Sequence, residues 1–214
     1  MSNNMWINKK IKNNLKIYAS EVKSNNCGIA TLQLVLMFYK QTEDVVLNVK
    51  YDETGVWISD LASESVKQGF QSQLYCYSTT MFLPEWFTTE KDELLEILTK
   101  AVLGLEQDTL RNGYTSLINY LKLNSEFLFK IITPTDLKAA LHKGKMCILS
   151  LESRSFHLDS DTSMGHYCLL ESISQRYATV YSLTPSGFVR KRLPTEQLMF
   201  SLYRWGGWVL LICP

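Results

Sequence analysis

Cys27 stands just before a long apolar run, Gly28-Ile29-Ala30-Thr31-Leu32-Gln33-Leu34-Val35-Leu36, and just after the polar cluster Ser24-Asn25-Asn26. Serine and asparagine are helix-capping residues, so the thiol is expected at the first turn of a buried helix. The free N–H groups and the dipole at that end favour thiolate over thiol. The same N–H groups can hold an oxyanion. This is the chemistry of a nucleophile attacking a carbonyl carbon. Such a thiol needs a base, and the chain offers three histidines, His142, His157 and His166. His166 opens the strand-like run Gly165-His166-Tyr167-Cys168-Leu169-Leu170 and is the preferred partner. His142 sits at a lysine-flanked helix end, where a solvated cation is the ordinary outcome. His157 precedes the polar segment Leu158-Asp159-Ser160-Asp161 and is the weaker alternative.

The elements that must position these groups follow from periodicity. Residues 1–19 read as a polar lead-in, irregular or helical. The apolar residues of 29–38 predict a buried helix of about three turns. Asp44 to Lys50 reads as a connector, and Ile58 to Gln68 as an amphipathic helix that Gly69 ends. Ser72 to Ser78 alternates like a strand, Lys91–Leu105 and Tyr114–Leu123 are helical, and Phe127–Ile132 is a second strand. Thr133-Pro134-Thr135-Asp136 pairs a cap residue with proline at the first helical position. The last third changes character. Cys147–Leu151, Tyr167–Ile173, Ala178–Leu183, Gly187–Leu193 and Trp208–Cys213 are strand-like runs, interrupted by a helix over Thr195–Leu202. Helices first and a strand meander later predict an α+β fold, with an N-terminal helical half packed on a C-terminal antiparallel sheet. Residues 1–214 read as a single domain without repeats.

Bulk properties narrow the function. With 214 residues, 46% of them hydrophobic, the chain can bury a substantial core. A net charge of +1 argues against a nucleic-acid or anionic-membrane footprint. No apolar h-region opens the chain, and Trp208–Cys213 is too short to span a bilayer. The five cysteines, at 27, 76, 147, 168 and 213, show neither CxxC spacing nor an even set, so neither a zinc site nor a disulfide framework is indicated. A cytoplasmic protein is expected, with signal-independent export left open. No cofactor and no metal are expected. GxGxxG and Walker motifs are absent, and Asp159-x-Asp161 lacks the central glycine and distal glutamate of a calcium loop. Trp205-Gly206-Gly207-Trp208 reads as core and turn. No exposed heptad suggests an oligomer, so a monomer is the default.

Taken in order, these residues resemble a family. The chain resembles the C39-like branch of papain-fold cysteine peptidases, and within it the small stand-alone guanylyl-cyclase-domain-containing proteins. Glu21-Val22-Lys23-Ser24-Asn25-Asn26-Cys27-Gly28 resembles the family pattern of Gln, five residues, then Cys-Gly. Gly55-Val56-Trp57-Ile58-Ser59-Asp60-Leu61-Ala62 resembles a Gly-Val-Trp-x-x-Asp-Leu-Ala segment, and Gly165-His166-Tyr167 through Thr184-Pro185 resembles Gly-His-Tyr/Phe followed by an Asp-Pro or Asn-Pro step. The likeness covers roughly residues 18–213.

The resemblance implies a papain-like fold and a site made of Cys27 as nucleophile, His166 as base and acid, Thr184 as the residue that orients the imidazole, and Glu21 at the oxyanion-hole position. Two of these depart from the pattern. Glu21 replaces glutamine, and an ionised carboxylate has no N–H to donate; Asn25 is an alternative donor. Thr184 replaces the acid or amide; a hydroxyl can accept the imidazole N–H but brings no charge to an imidazolium. Ser182, Asp159 or Asp161 are alternative partners. The expected activity is cleavage or transfer at an amide or acyl bond through an acyl-enzyme, on a peptide, protein or acyl substrate. Two alternatives stand beside it: a catalytically inactive papain-like binding protein, and a glutamine-deamidating effector.

Overall fold

The computed structural model describes residues 15–22, 24, 26–51, 55–123, 125–157 and 163–214. Asn25, Asp159 and Asp161, the alternative donor and two of the alternative imidazole partners, lie outside them. Residues 15–21 are helical (α1), with Leu15 fully buried. Helix α2 (Cys27–Lys40) starts where capping chemistry predicts. The Asn26 side chain accepts the N–H groups of Gly28 and Ile29, and Gln41 ends the helix in the left-handed region. Gly28, Ala30, Thr31, Leu32, Leu34, Val35, Leu36 and Met37 are all buried, which makes α2 a core helix rather than a surface one.

Behind it come α3 (Ile58–Lys67), β1 (Gln71–Cys76), a 3₁₀ turn (Pro84–Thr88), α4 (Lys91–Gly104), α5 (Asp108–Leu121) and β2 (Glu126–Phe129). The second half runs α6 (Pro134–His142), β3 (Met146–Glu152), α7 (Ser153–His157), β4 (Gly165–Ile173), β5 (Tyr177–Thr184), β6 (Gly187–Pro194), α8 (Thr195–Arg204) and β7 (Val209–Cys213). Thr133 and Asp136 complete a reciprocal capping box at the start of α6.

The architecture is mixed α+β, but the expected segregation of halves and the all-antiparallel sheet need correction. One seven-stranded sheet runs in the order β2-β1-β7-β3-β4-β5-β6. β1 and β2, both from the first half, pair in parallel, whereas every other pair is antiparallel. A parallel pair needs a long crossover, and α4 and α5 supply it. The C-terminal strand β7 lies between β1 and β3 and so joins the strands of the two halves. Helix α5 begins at Asp108, six residues ahead of the expected Tyr114. Gly113 discourages a helical reading, yet a Cβ there would lie 2.8 Å from the Trp57 ring, so the glycine is what lets the helix pass.

Helices cover both faces of the sheet. Alternate residues of β3 divide between two cores: Met146 and Ile148 join Leu32, Leu36, Leu61 and Leu117, while Cys147, Leu149 and Leu151 join Phe156, Leu198 and Leu202. Every residue of β3 is buried, as expected of a strand covered on both faces. The contact that seats α2 on β4 is made by Gly28. A Cβ at that position would come within 2.5 Å of Val56 Cγ1 and 2.9 Å of Tyr167 Cδ2. The Tyr167 hydroxyl donates to the Val56 carbonyl at 2.8 Å, which fixes the ring in that place. Gly28→Ala should therefore force the helix start off the strand and cost about 1–3 kcal/mol, the usual penalty of overpacking a dense site. Urea unfolding reads this as a lowered midpoint at constant slope; an unchanged midpoint would show that the contact has slack.

Candidate active site

Cys27 occupies the first turn of α2, and His166 the second residue of β4. The two line one cleft of about 670 Å³, together with Val22, Ser24, Leu183, Thr184, Pro185 and Gly187. Val22 and Ser24 come from the connection between α1 and α2; the last four come from the β5–β6 hairpin. The fold thus brings together residues far apart in sequence at the point where the helix start meets the strand start. No hydrogen bond joins Cys27 to His166 among the described residues.

The imidazole is held by a different hydroxyl from the one expected. His166 Nε2 lies 2.8 Å from Ser182 Oγ, a fully buried group. Thr184 Oγ1 instead donates to the Gly187 carbonyl at 2.8 Å and lies 3.0 Å from Ser186 Oγ. The reason is local. Thr184 closes the two-residue turn Pro185-Ser186, facing Gly187 across it, and its hydroxyl satisfies that turn. Ser182 stands opposite Cys168 in the β4–β5 register, on the face that also carries His166, and reaches the ring diagonally. The hydroxyl that meets the imidazole is thus that of Ser182, and Thr184, expected in that place, is committed to the turn.

The far side of the ring is set by α7. The Phe156 ring stacks on the imidazole at 5.6 Å between centroids and 24°, and His157 meets it edge-on at 5.1 Å. Lys191 of β6 donates to the Phe156 carbonyl at 3.0 Å and lies 4.5 Å from the centre of its ring. The short helix carrying Phe156 is itself anchored. Glu152 Oε2 accepts the Ser155 N–H at 2.7 Å and the Ser155 hydroxyl, and the hydrogen bonds from Ser155 and Ser163 hold this carboxyl down to about 2.

Burial acts on both partners in the same sense. It pushes the Cys27 thiol up, against backbone N–H contributions from Tyr167, Gly28 and Cys27 itself. It also lowers the His166 imidazole to about 4, with the positive potential of His157 and Lys191 adding to the shift. For the thiol, desolvation thus opposes the helix end, and for the imidazole it favours the neutral ring. At the start of α2, Asn26 Oδ1 takes the N–H groups of Gly28 and Ile29, at 3.0 and 3.2 Å.

Glu21 does not line the cleft. It lies exposed on α1, where its carboxylate accepts the Ser20 hydroxyl at 3.3 Å. Its expected part at the oxyanion is not what this arrangement shows. His142 is exposed at the end of α6. Leu183 and Pro185 of the hairpin were not anticipated as cleft residues, because only the folded chain brings the β5–β6 turn to the cleft that holds Cys27. All five cysteines are free thiols. Among the described residues no three His, Cys, Asp or Glu side chains form a metal-binding group, and no helix is long and apolar enough to cross a membrane. In comparison with known proteins, no family model matches the chain, and no curated protein matches it in sequence.

Two predictions follow from the electrostatics. His166 stays neutral when folded down to about 4, whereas an unfolded histidine titrates near about 6.5. The unfolded chain binds that proton first, so stability is full above about 6.5 and is lost as pH falls toward the folded value. Urea unfolding at stepped pH should show this decline, and His166→Gln should flatten it; an equally steep decline in the variant would assign it to other groups. Alkylation of Cys27, followed by intact mass, should rise with pH at a higher midpoint than the free-thiol value of about 8.5. A midpoint below that value would mean that the helix end prevails over burial.

Proposed function

We propose that this chain is a thiol-dependent enzyme of amide or acyl bonds, built on a papain-like fold and working through an acyl-enzyme on Cys27. The observation that carries the reading is the shared cleft: a helix-start thiol, a strand-start imidazole, and a buried hydroxyl at 2.8 Å that fixes the imidazole by Nε2. In the tautomer where Ser182 accepts Nε2–H, the Nδ1 lone pair receives the thiol proton as Sγ attacks the carbonyl carbon. The tetrahedral oxyanion is held by the Cys27 N–H. Collapse of that intermediate breaks the bond to the leaving group, which takes the proton from Nδ1. The thioester is then attacked by water or by an amine, whose proton returns through Nδ1 to the departing thiol. Water as acceptor gives a peptidase or deamidase, and an amine gives an acyltransferase. Because thiol and imidazole both rest neutral, His166 works as a general base during attack, with no standing ion pair.

One set of observations favours a second reading, a papain-like fold that binds without catalysis. The thiol is pushed up, two of the helix-start N–H groups are already taken by Asn26, and Glu21 stands away from the cleft. Acylation by an activated thioester, read as an adduct on intact protein, separates the two. For the enzyme reading, Cys27→Ala abolishes the adduct and His166→Ala slows its formation by about 10²-fold or more, the usual contribution of a positioned base. Ser182→Ala should slow it by about tenfold and be partly rescued by Ser182→Thr, whereas Thr184→Val should act on hairpin stability and leave the acylation rate near wild type. Equal rates in wild type and His166→Ala would leave the binding reading in possession.

A further inference from the structure

Glu152 is a buried carboxylate that the proposed chemistry does not use. It is 2% exposed, and its Oε1 has no hydrogen-bond partner among the described residues. A charge kept in such a place is costly. Its other oxygen does one thing: Oε2 accepts the Ser155 N–H at 2.7 Å and the Ser155 hydroxyl, and so ties the first turn of α7 to the end of β3. The far end of α7 is held from α8, where Gln197 Nε2 donates to the carbonyls of Ser155 and Phe156, each at 3.1 Å. Lys191 of β6 donates to the same Phe156 carbonyl at 3.0 Å. A helix of five residues has too few internal hydrogen bonds to keep its own place, so these side chains set it. What they set is Phe156, fully buried and face-on to the imidazole, at 5.6 Å between centroids and 24°. One hydrogen bond at Nε2, to Ser182, leaves the imidazole plane able to rock about that contact. A ring packed on its face does not.

We infer that Glu152 and Gln197 are positioning residues for His166: they clamp α7 from its two ends and so hold the Phe156 ring against the face of the imidazole. The placing of the ring belongs to the packing, and only its bearing on acylation of Cys27 rests on the proposed function.

The test follows the His166 ring protons by NMR in the full chain, at a pH where the imidazole is neutral, with His166→Gln to assign them. The stacked ring should displace them upfield of those of the exposed His142. Phe156→Leu should return them toward the His142 positions. Glu152→Ala and Gln197→Ala should each move them in the same direction. Glu152→Gln, which keeps an acceptor for the Ser155 N–H, should recover part of the wild-type position. Acylation of Cys27 by an activated thioester should fall by about tenfold or more in Phe156→Leu and in Glu152→Ala, as expected when a base is displaced. The double variant Glu152→Ala/Phe156→Leu should be no slower than the slower single one, since both act through one ring. Circular dichroism checks folding, and Gln197→Ala, at a half-buried position of α8, carries the test if Glu152→Ala does not fold. Ring protons unmoved by Phe156→Leu, or moved by it but by neither clamp variant, overturn the inference. A double variant whose losses multiply does the same, and so does lost stability with unmoved ring protons, the mark of a merely structural role. If His166→Ala slows acylation but the clamp variants and Phe156→Leu do not, the clamp has no bearing on the base and the inference falls. Moved ring protons with acylation unchanged in His166→Ala as well would instead sink the enzymatic reading and leave the clamp standing.

Discussion

The approach of α2 to β4 through Gly28 governs the geometry of the cleft. The absence of a side chain lets the helix start settle against the Tyr167 ring and Val56, and the Tyr167 hydroxyl ties that ring to the Val56 carbonyl. Cys27 is the residue before the glycine, and His166 is the residue before the tyrosine. The same contact that closes the core therefore brings the thiol and the imidazole to one cleft. Their placement needs no special loop; it follows from two adjacent residue pairs meeting at the ends of a helix and a strand. Such a device is rigid, because a displacement of the helix start by an ångström must be absorbed by residues packed at core density.

That rigidity has an electrostatic consequence. The close seating that brings Cys27 and His166 together also strips both of water, and desolvation favours the neutral form of each. Phe156 and the positive potential of His157 and Lys191 act on the imidazole in the same direction. A standing thiolate–imidazolium pair would need either more water or a carboxylate behind the ring, and the group behind the ring is the Ser182 hydroxyl. Burial, aromatic stacking and a neutral hydrogen-bond partner thus agree with one another. They describe an imidazole held in its neutral form, whereas the helix end taken alone describes an ionised thiol.

Much of the scaffold was legible in the sequence, for reasons that are local. Asn26 ahead of an apolar run marks the start of α2, and Thr133-Pro134 with Asp136 marks that of α6, because capping depends on neighbours a few residues apart. The strand runs of the last third were equally plain. What escaped was set by pairing. Nothing in the alternation of 72–78 says that β1 takes β2 in parallel on one side and the C-terminal strand on the other. Short elements were also missed: α7 has five residues and is held by the Glu152 carboxylate, which no periodicity announces.

The site shows the same division more sharply. Ser182 and Thr184 lie two apart on β5 and so share a face, and either hydroxyl could serve an imidazole on β4. Sequence resemblance points to Thr184 because of the proline that follows it. That proline is the reason for the opposite outcome: it belongs to a tight turn, and a tight turn claims the hydroxyl of the residue that closes it. Ser182, one step further from the turn, has no such claim on it and is free of competing water because it is fully buried. Glu21 is a simpler case: it stands on the exposed last turn of α1, where its carboxylate keeps its hydration and accepts the Ser20 hydroxyl. Behind the imidazole the same reasoning applies: where burial already favours the neutral ring, an anion would have to shed its own hydration to stand beside it, and a neutral hydroxyl does not.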